Sequence, residues 1–285
     1  MRNNEDRLGT KKKNTSSPAE AQSTTTSGGL APLDFVRPTT VLELPSKGLF
    51  YPEGHPLHGR DTIQIRQMTT AEEDILSNRA LLQKGVAIDK FLERLLIDEN
   101  IKPSDLLVGD KNAVLIQARI DGYGSEYTTQ VACPACATRQ KNTFDLVECS
   151  TVTGGQEVEG VTRSDAGNFI VTLDNGWEVE IRPLTGVDET KLVKSMNNKK
   201  KAGLAETQIQ DQLNAMIVSV SGHEDKGTIA KAVQHMTGKQ SRLLRDTYKK
   251  VIPNLELKSD FDCRECGAST VMEVPLNAEF FWFSS

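Results

Sequence analysis

The chain has 285 residues, of which 37% are hydrophobic and 5% aromatic, and its formal net charge is -5. That length suits two modest domains or one large one, and the acidic balance argues against wholesale non-specific binding to nucleic acid. No run approaches the ~18–20 apolar residues of a membrane helix, and the basic start lacks the apolar stretch of a secretory signal.

Residues 1–38 are rich in Ser, Thr, Asn, Gly, Pro and mixed charge. Such a segment cannot bury enough apolar surface to offset its chain entropy, so a disordered polar tail is expected there. The rest is long enough to bury a core. "LPSKG" and "YPEGHP" are turn-rich, and "TIQIRQM" (62–68) alternates as a strand does. Thr69 and Glu72 have capping-box spacing and open a helix. "AIDKFLERLLI" (87–97) is helical in period, with Ile88, Phe91, Leu92, Leu95 and Leu96 on one face, until Pro103 breaks the pattern. A further helix is expected to be capped near Asp110 and to carry Val114, Leu115 and Ala118. "SEYTTQVA" then reads as a strand leading into Cys133 and Cys136.

A polar, Gly-rich join occupies about 150–166. "NFIVTL" and "WEVEIRPL" flank "DNG", a strong hairpin signal. Helical spacing returns over 205–220. It returns again over 239–251, where Thr237 and Gln240 are in capping-box register and Pro253 ends the run. "LELKSDFD" is a strand that leads into Cys263 and Cys266. The order suggests an internal duplication, because "IRQMTTAEEDIL" (65–76) and "IRPLTGVDETKL" (181–192) align without gaps. The expected fold is α+β, with two related helix–strand halves, 39–150 and 151–285. Each half ends in a CxxC β-hairpin of zinc-ribbon type.

Cys133, Cys136, Cys263 and Cys266 make a four-thiolate set suited to one tetrahedral Zn2+ per chain. A compact zinc ribbon separates its knuckles by ~15–20 residues, whereas here the whole of 137–262 intervenes. Duplication resolves the difference: each half donates one knuckle, and the ion staples the halves. The expected role is structural, since four thiolates leave no open position for a catalytic water. Both pairs are flanked by strand-like sequence, not by the helix N-terminus that activates a thioredoxin-like thiol. Cys149 reads as an isolated, partly buried thiol. Paired thiols without a disulfide pattern suit a reducing cytoplasm.

His55 and His58 read as turn residues rather than ligands. No phosphate loop, nucleophile elbow or zinc-protease motif is present, so no catalytic residue and no small-molecule substrate is expected. "NNKKKAG" (197–203) is a positive run that reads as a solvated loop. "EFFWFSS" (279–285) gathers aromatics that should dock on the core. A zinc-ribbon regulator that binds nucleic acid is the alternative. Asp260, Asp262 and Glu265 around the second pair weigh against it, because a phosphate-binding tip should not carry such acids.

"LPSKGLFY", "IQIRQMTTAEEDIL", Arg119 with Tyr123 and Gly124, "CPAC", and later "LLRDTY", "FDCRECG" and "FFW" together resemble the T4-type phage baseplate hub (tail assembly) protein family, over roughly 40–285. The resemblance implies a non-enzymatic role in building the baseplate's central hub and partners among other hub and tail proteins. Its expected place is the host cytoplasm during assembly, and the virion if the protein is retained. The two-knuckle duplication is read from the residues, not from the resemblance.

Overall fold

The first hairpin spans nearly thirty residues because a long, ordered loop separates its strands. β1 (Thr39–Glu43) and β2 (Thr62–Arg66) pair antiparallel, with Thr39 opposite Arg66. Ile63 and Ile65 are buried while Thr62 and Gln64 face out, as the alternation predicts. The structure is a computed structural model that describes residues 36–205, 207–275 and 278–281. The expected polar tail therefore lies almost wholly outside the described residues, as do Trp282 and Phe283. From Arg37 onward the chain is one compact unit.

The loop between β1 and β2 carries "LPSKGLFY", and its shape is set by one buried carboxylate. Asp110 accepts hydrogen bonds from the Ser46 backbone N–H (3.0 Å), the Ser46 hydroxyl (2.6 Å) and the Tyr51 hydroxyl (2.8 Å). The Tyr51 oxygen in turn accepts from the Leu107 N–H at 3.1 Å. The helix expected to be capped near Asp110 is α4 (Val108–Tyr123), which begins after Leu107, and Asp110 turns inward from its first turn. Burial pushes its carboxyl above the ordinary range, although the Ser46 and Tyr51 donors pull the other way. Gly48 is required in this loop. Its φ is +69°, and a Cβ there would stand 2.5 Å from the Arg60 backbone and the Leu57 oxygen.

After β2 come α1 (Thr70–Ser77), α2 (Arg79–Lys84) and α3 (Ala87–Leu95). The Thr69–Glu72 capping box forms as the spacing predicts. α3 buries Phe91, Leu92 and Leu95. β3 (Glu126–Ala132) and β4 (Arg139–Asp145) follow α4 as a hairpin around the first cysteine pair. A short helix, α5 (Leu146–Cys149), and β5 (Ser150–Thr153) complete this part.

The polar join holds more structure than its composition suggests. β6 (Val161–Arg163), β7 (Phe169–Thr172), β8 (Glu178–Ile181) and β9 (Ile217–Val220) form a four-stranded antiparallel sheet in that order. "DNG" is the β7–β8 turn. α6 (Gly186–Lys201) opens with a second capping box, Thr185–Asp188. The expected helix over 205–220 stops early: α7 spans Gln208–Met216, and "IVSV" becomes β9. β-branched residues favour the strand, and pairing with β8 satisfies their backbone groups. α8 (Lys226–His235), capped by Asp225, has no counterpart among the expected elements. α9 (Gly238–Val251) has the predicted Thr237–Gln240 box. β10 (Asn254–Asp262) then pairs with both β11 (Ser269–Glu273) and β5.

Two hydrophobic clusters result. One takes residues from Leu42 to Cys149 and again from Leu257 to Phe281, so the last hairpin packs where the first part of the chain does. The other runs from Phe169 to Ile252. Phe50 packs against both. Its ring centroid lies 5.6 Å from that of Phe169, and the Arg163 guanidinium lies over both rings at 4.9 and 4.6 Å. Lys111 of α4, nearly buried, reaches Asp89 of α3 (3.2 Å) and Glu189 of α6 (2.9 Å). Of the terminal aromatics, Phe280 and Phe281 dock as expected. Phe281 lies edge-on to Phe91, Phe280 lies edge-on to Tyr127, and the Phe280 carbonyl accepts from Arg119 at 2.9 Å.

Both N-caps of the aligned pair are charged clusters. Glu72 is fully buried and accepts from the Thr69 N–H and hydroxyl, Arg37 and Arg94. Arg182 grips Asp188 with two bonds of 2.8 and 2.9 Å. Burial alone would raise both carboxyls. The Thr69 donors with Arg94 and Arg37 hold Glu72 below its ordinary range, and Arg182 and Thr185 do the same for Asp188. A carboxylate held low when folded adds stability above its unfolded value of ~4, which is lost as pH falls through the folded value. Thermal melts are therefore expected to be level from neutral pH down to about 5 and to drop below about pH 4.5. Glu72→Gln should cost about 3 kcal/mol at pH 7 and blunt that acid drop. A variant as stable as the parent, with an unchanged acid limb, would show that the cluster contributes nothing.

Candidate metal centre

Each cysteine pair sits at the tip of a β-hairpin, and the two tips share one backbone pattern. In the first, the Cys133 N–H donates to Thr138 O (2.9 Å) and the Ala137 N–H donates to Cys133 O (2.8 Å). In the second, the Cys263 N–H donates to Ala268 O (2.9 Å) and the Gly267 N–H donates to Cys263 O (3.0 Å). The residue after each second cysteine is left-handed, with φ of +59° at Ala137 and +68° at Gly267. Glycine takes that conformation without strain, whereas alanine does so at a cost.

The structure brings together all four cysteines that the sequence singled out. Their Sγ atoms lie within 4.8 Å of one another. Two contacts cross between hairpins: Cys133 to Cys266 is 3.8 Å, and Cys136 to Cys263 is 3.7 Å. The first cysteine of each pair is buried and the second exposed, so an ion held here would sit at the surface with its inner side sealed. Cys149 is buried apart from this cluster. His55 and His58 are also elsewhere. His55 stacks on the Tyr51 ring and accepts the Leu57 N–H, and His58 bonds to the Tyr51 carbonyl, so both serve the turn.

Four thiols in contact cannot all ionise without a cation between them. Donors on Thr138 bring Cys136 down to about 6. The Ala268 N–H acts in the same direction on Cys266, yet the neighbouring thiols outweigh it and push that thiol up to about 12. A divalent ion would remove the conflict by stabilising every thiolate at once, so the set is suited to hold a metal. The Ala135 N–H also points at the Cys133 sulfur at 3.4 Å, a further donor to negative charge.

One residue that sequence reading did not select completes the centre. Gln140 of β4 donates to Asp262 O and accepts from the Arg264 N–H, both at 3.0 Å. Its amide thus ties the first hairpin to the backbone on either side of Cys263. Its only sequence signal is a place four residues after Cys136, a position that any polar residue could fill. Gln140→Ala is expected to weaken metal retention about 10-fold in competition with a chromophoric chelator, leaving the four ligands intact. Ala137→Gly should raise stability by up to about 1 kcal/mol by relieving the left-handed alanine. Equal retention in the first variant, or a loss of stability in the second, would contradict this geometry.

No curated protein and no solved structure matches the chain. A family model described as T4 bacteriophage base plate protein matches residues 37–282, which include the Asp110-centred loop, both hairpins and all four cysteines. The chain belongs to that baseplate protein family.

Proposed function

We propose that this baseplate protein is a non-enzymatic component or assembly factor of the central hub, stapled by one structural zinc ion. The sulfur geometry carries the zinc reading. Tetrahedral zinc with Zn–S bonds of ~2.3 Å sets its sulfurs ~3.8 Å apart, and the inter-hairpin separations here are 3.8 and 3.7 Å. Cys133, Cys136, Cys263 and Cys266 would hold the ion and leave no position for water, so the chemistry it supplies is cross-linking. The chain's own residues do the rest: the hairpin turns aim the sulfurs, and Gln140 fixes one hairpin to the other.

The hairpin tips also support the duplicated reading. Both halves run through a hairpin, a Thr-capped helix, further helices and a knuckle hairpin. The aligned capping boxes, Thr69–Glu72 and Thr185–Asp188, each anchor an arginine. In this reading the zinc holds two related zinc-ribbon-like units at a fixed angle, and their outer surfaces meet other hub and tail proteins during assembly in the host cytoplasm. A nucleic-acid-binding ribbon is less well supported. The second tip presents exposed Asp260, Asp262 and Glu265, and Gln140 spends its amide on the opposite hairpin.

Purified protein is expected to contain about one zinc per chain by elemental analysis, and Cys263→Ser should lose both the metal and thermal stability. A metal-free protein of full stability would end the staple. Affinity purification from infected cells should recover baseplate hub proteins. Recovery of nucleic acid without tail proteins would favour the regulator. Mass spectrometry of finished particles then separates a hub component from a factor that acts only in assembly.

A further inference from the structure

α6 is buried at its start, and further along Ser195 and Lys199 tie it to Asp211 of α7. Gly186 and Asp188 are its buried residues, and none from Lys191 to Lys201 is buried. What stays open to solvent is the outer face of the helix, an arm-like strip running from Lys191 to Lys201. Val193 and Met196 remain 49% and 42% exposed on it. Beside them, Lys194, Lys200 and Lys201 form no ion pair among the described residues, whereas Lys199 is taken up by Asp211. Positive charge gathered on an arm of a net-negative chain is segregated, and the exposed apolar residues between the lysines mean that the arm is not merely solvated.

The opposite arrangement occurs elsewhere on the same molecule. Glu126 of β3 lies directly across from Asp145 of β4, a like-charge cross-strand pair that costs stability. Glu148 and Asp260 join them around a cleft of about 490 Å³. Asp145 is occupied in capping α5 and binding Ser125. The side chains of Glu126, Glu148 and Asp260 have no hydrogen-bonding or ionic partner among the described residues, and Lys258 at the rim is paired with Glu256. Val147, next to Glu148, is 60% exposed. The cleft thus has what the arm lacks, free carboxylates, and an exposed valine follows in sequence just outside its lining.

We propose that the α6 arm docks into the Glu126–Glu148–Asp260 cleft of a second copy of this chain, head to tail. Lysines meet carboxylates, and Val193 and Met196 meet Val147. The contact uses two different patches, so each molecule can receive one neighbour and offer itself to another, as a ring or a short filament requires. Duplex DNA is the less fitting occupant, because the arm has no arginine or aromatic residue to read or stack on it. The inference does not depend on the zinc or on the hub assignment.

Sedimentation equilibrium of the full chain tests it. Wild type should self-associate at ~50 mM salt and dissociate toward monomer at ~500 mM, because exposed charge pairs are screened. Lys194→Ala with Lys200→Ala removes the arm's charge, and Glu148→Gln with Asp260→Asn removes the cleft's. Each double variant alone should be monomeric, with an unchanged far-UV spectrum. Mixed in equal amounts they should form a heterodimer and nothing larger, because each retains the half that the other has lost. Wild type that stays monomeric at ~100 µM in low salt overturns the proposal. So do an arm variant that associates as wild type does, a mixture that yields no heterodimer, and an arm whose lysines serve only to bind duplex DNA.

Discussion

Convergence of four sulfur atoms within 4.8 Å is the constraint on which the rest of this structure turns. The thiols come from hairpins separated by the whole of the second hydrophobic cluster. Bringing such distant segments together carries a loop-closure cost that grows only slowly with length. It must still be met by interactions that exist only in the folded state. Buried Leu257, Phe261 and Val274 supply part of that by carrying β10 and β11 into the first cluster. The Gln140 amide adds direct contacts at the tips. A metal would add the largest single term, since its binding energy becomes folding energy wherever the unfolded chain holds no site.

Around that closure, three smaller devices hold the two clusters against one another. The Asp110 carboxylate gathers Ser46, Tyr51 and the start of α4, and so shapes the loop from which Phe50 projects. Phe50 then packs on Phe169 under the Arg163 guanidinium. Lys111 spans from α3 to α6 through two carboxylates. Desolvating a lysine is expensive and is offset here only because both partners are present, which makes the triad a device of register more than of net stability. The "LPSKGLFY" segment is therefore an internal junction. Ser46 and Tyr51 are buried, Phe50 is partly buried, and Lys47 and Leu49 are the exposed residues of the segment.

Local chemistry was legible in the sequence wherever it depends on near neighbours. The Thr69 and Thr237 capping boxes need only a side chain and its own next turn, and both form. "DNG" makes its hairpin because the turn residues alone set the backbone. The apolar face of α3 is where its period places it. The misreadings fall where a distant partner decides. "IVSV" continues a helical pattern, yet it joins β8 because an open sheet edge is available there. Asp110 has the composition of a cap, yet it turns inward to a hydroxyl pair sixty residues upstream. β5 and β6 hide in polar sequence because their pairing, not their side chains, makes them strands.

The same division holds at the metal centre. Residue type and CxxC spacing alone singled out which four side chains could hold a metal, because thiolate chemistry and the short turn between each pair are local properties. Baseplate family membership was likewise written in the order of motifs along the chain. Only the tertiary structure decided that the two pairs meet. It also decided that the last hairpin joins the first cluster, that Gln140 bridges the tips, and that the outer face of α6 stays uncovered. Those outcomes depend on which surfaces lie opposite one another after the chain has closed, and no spacing within a single segment encodes that.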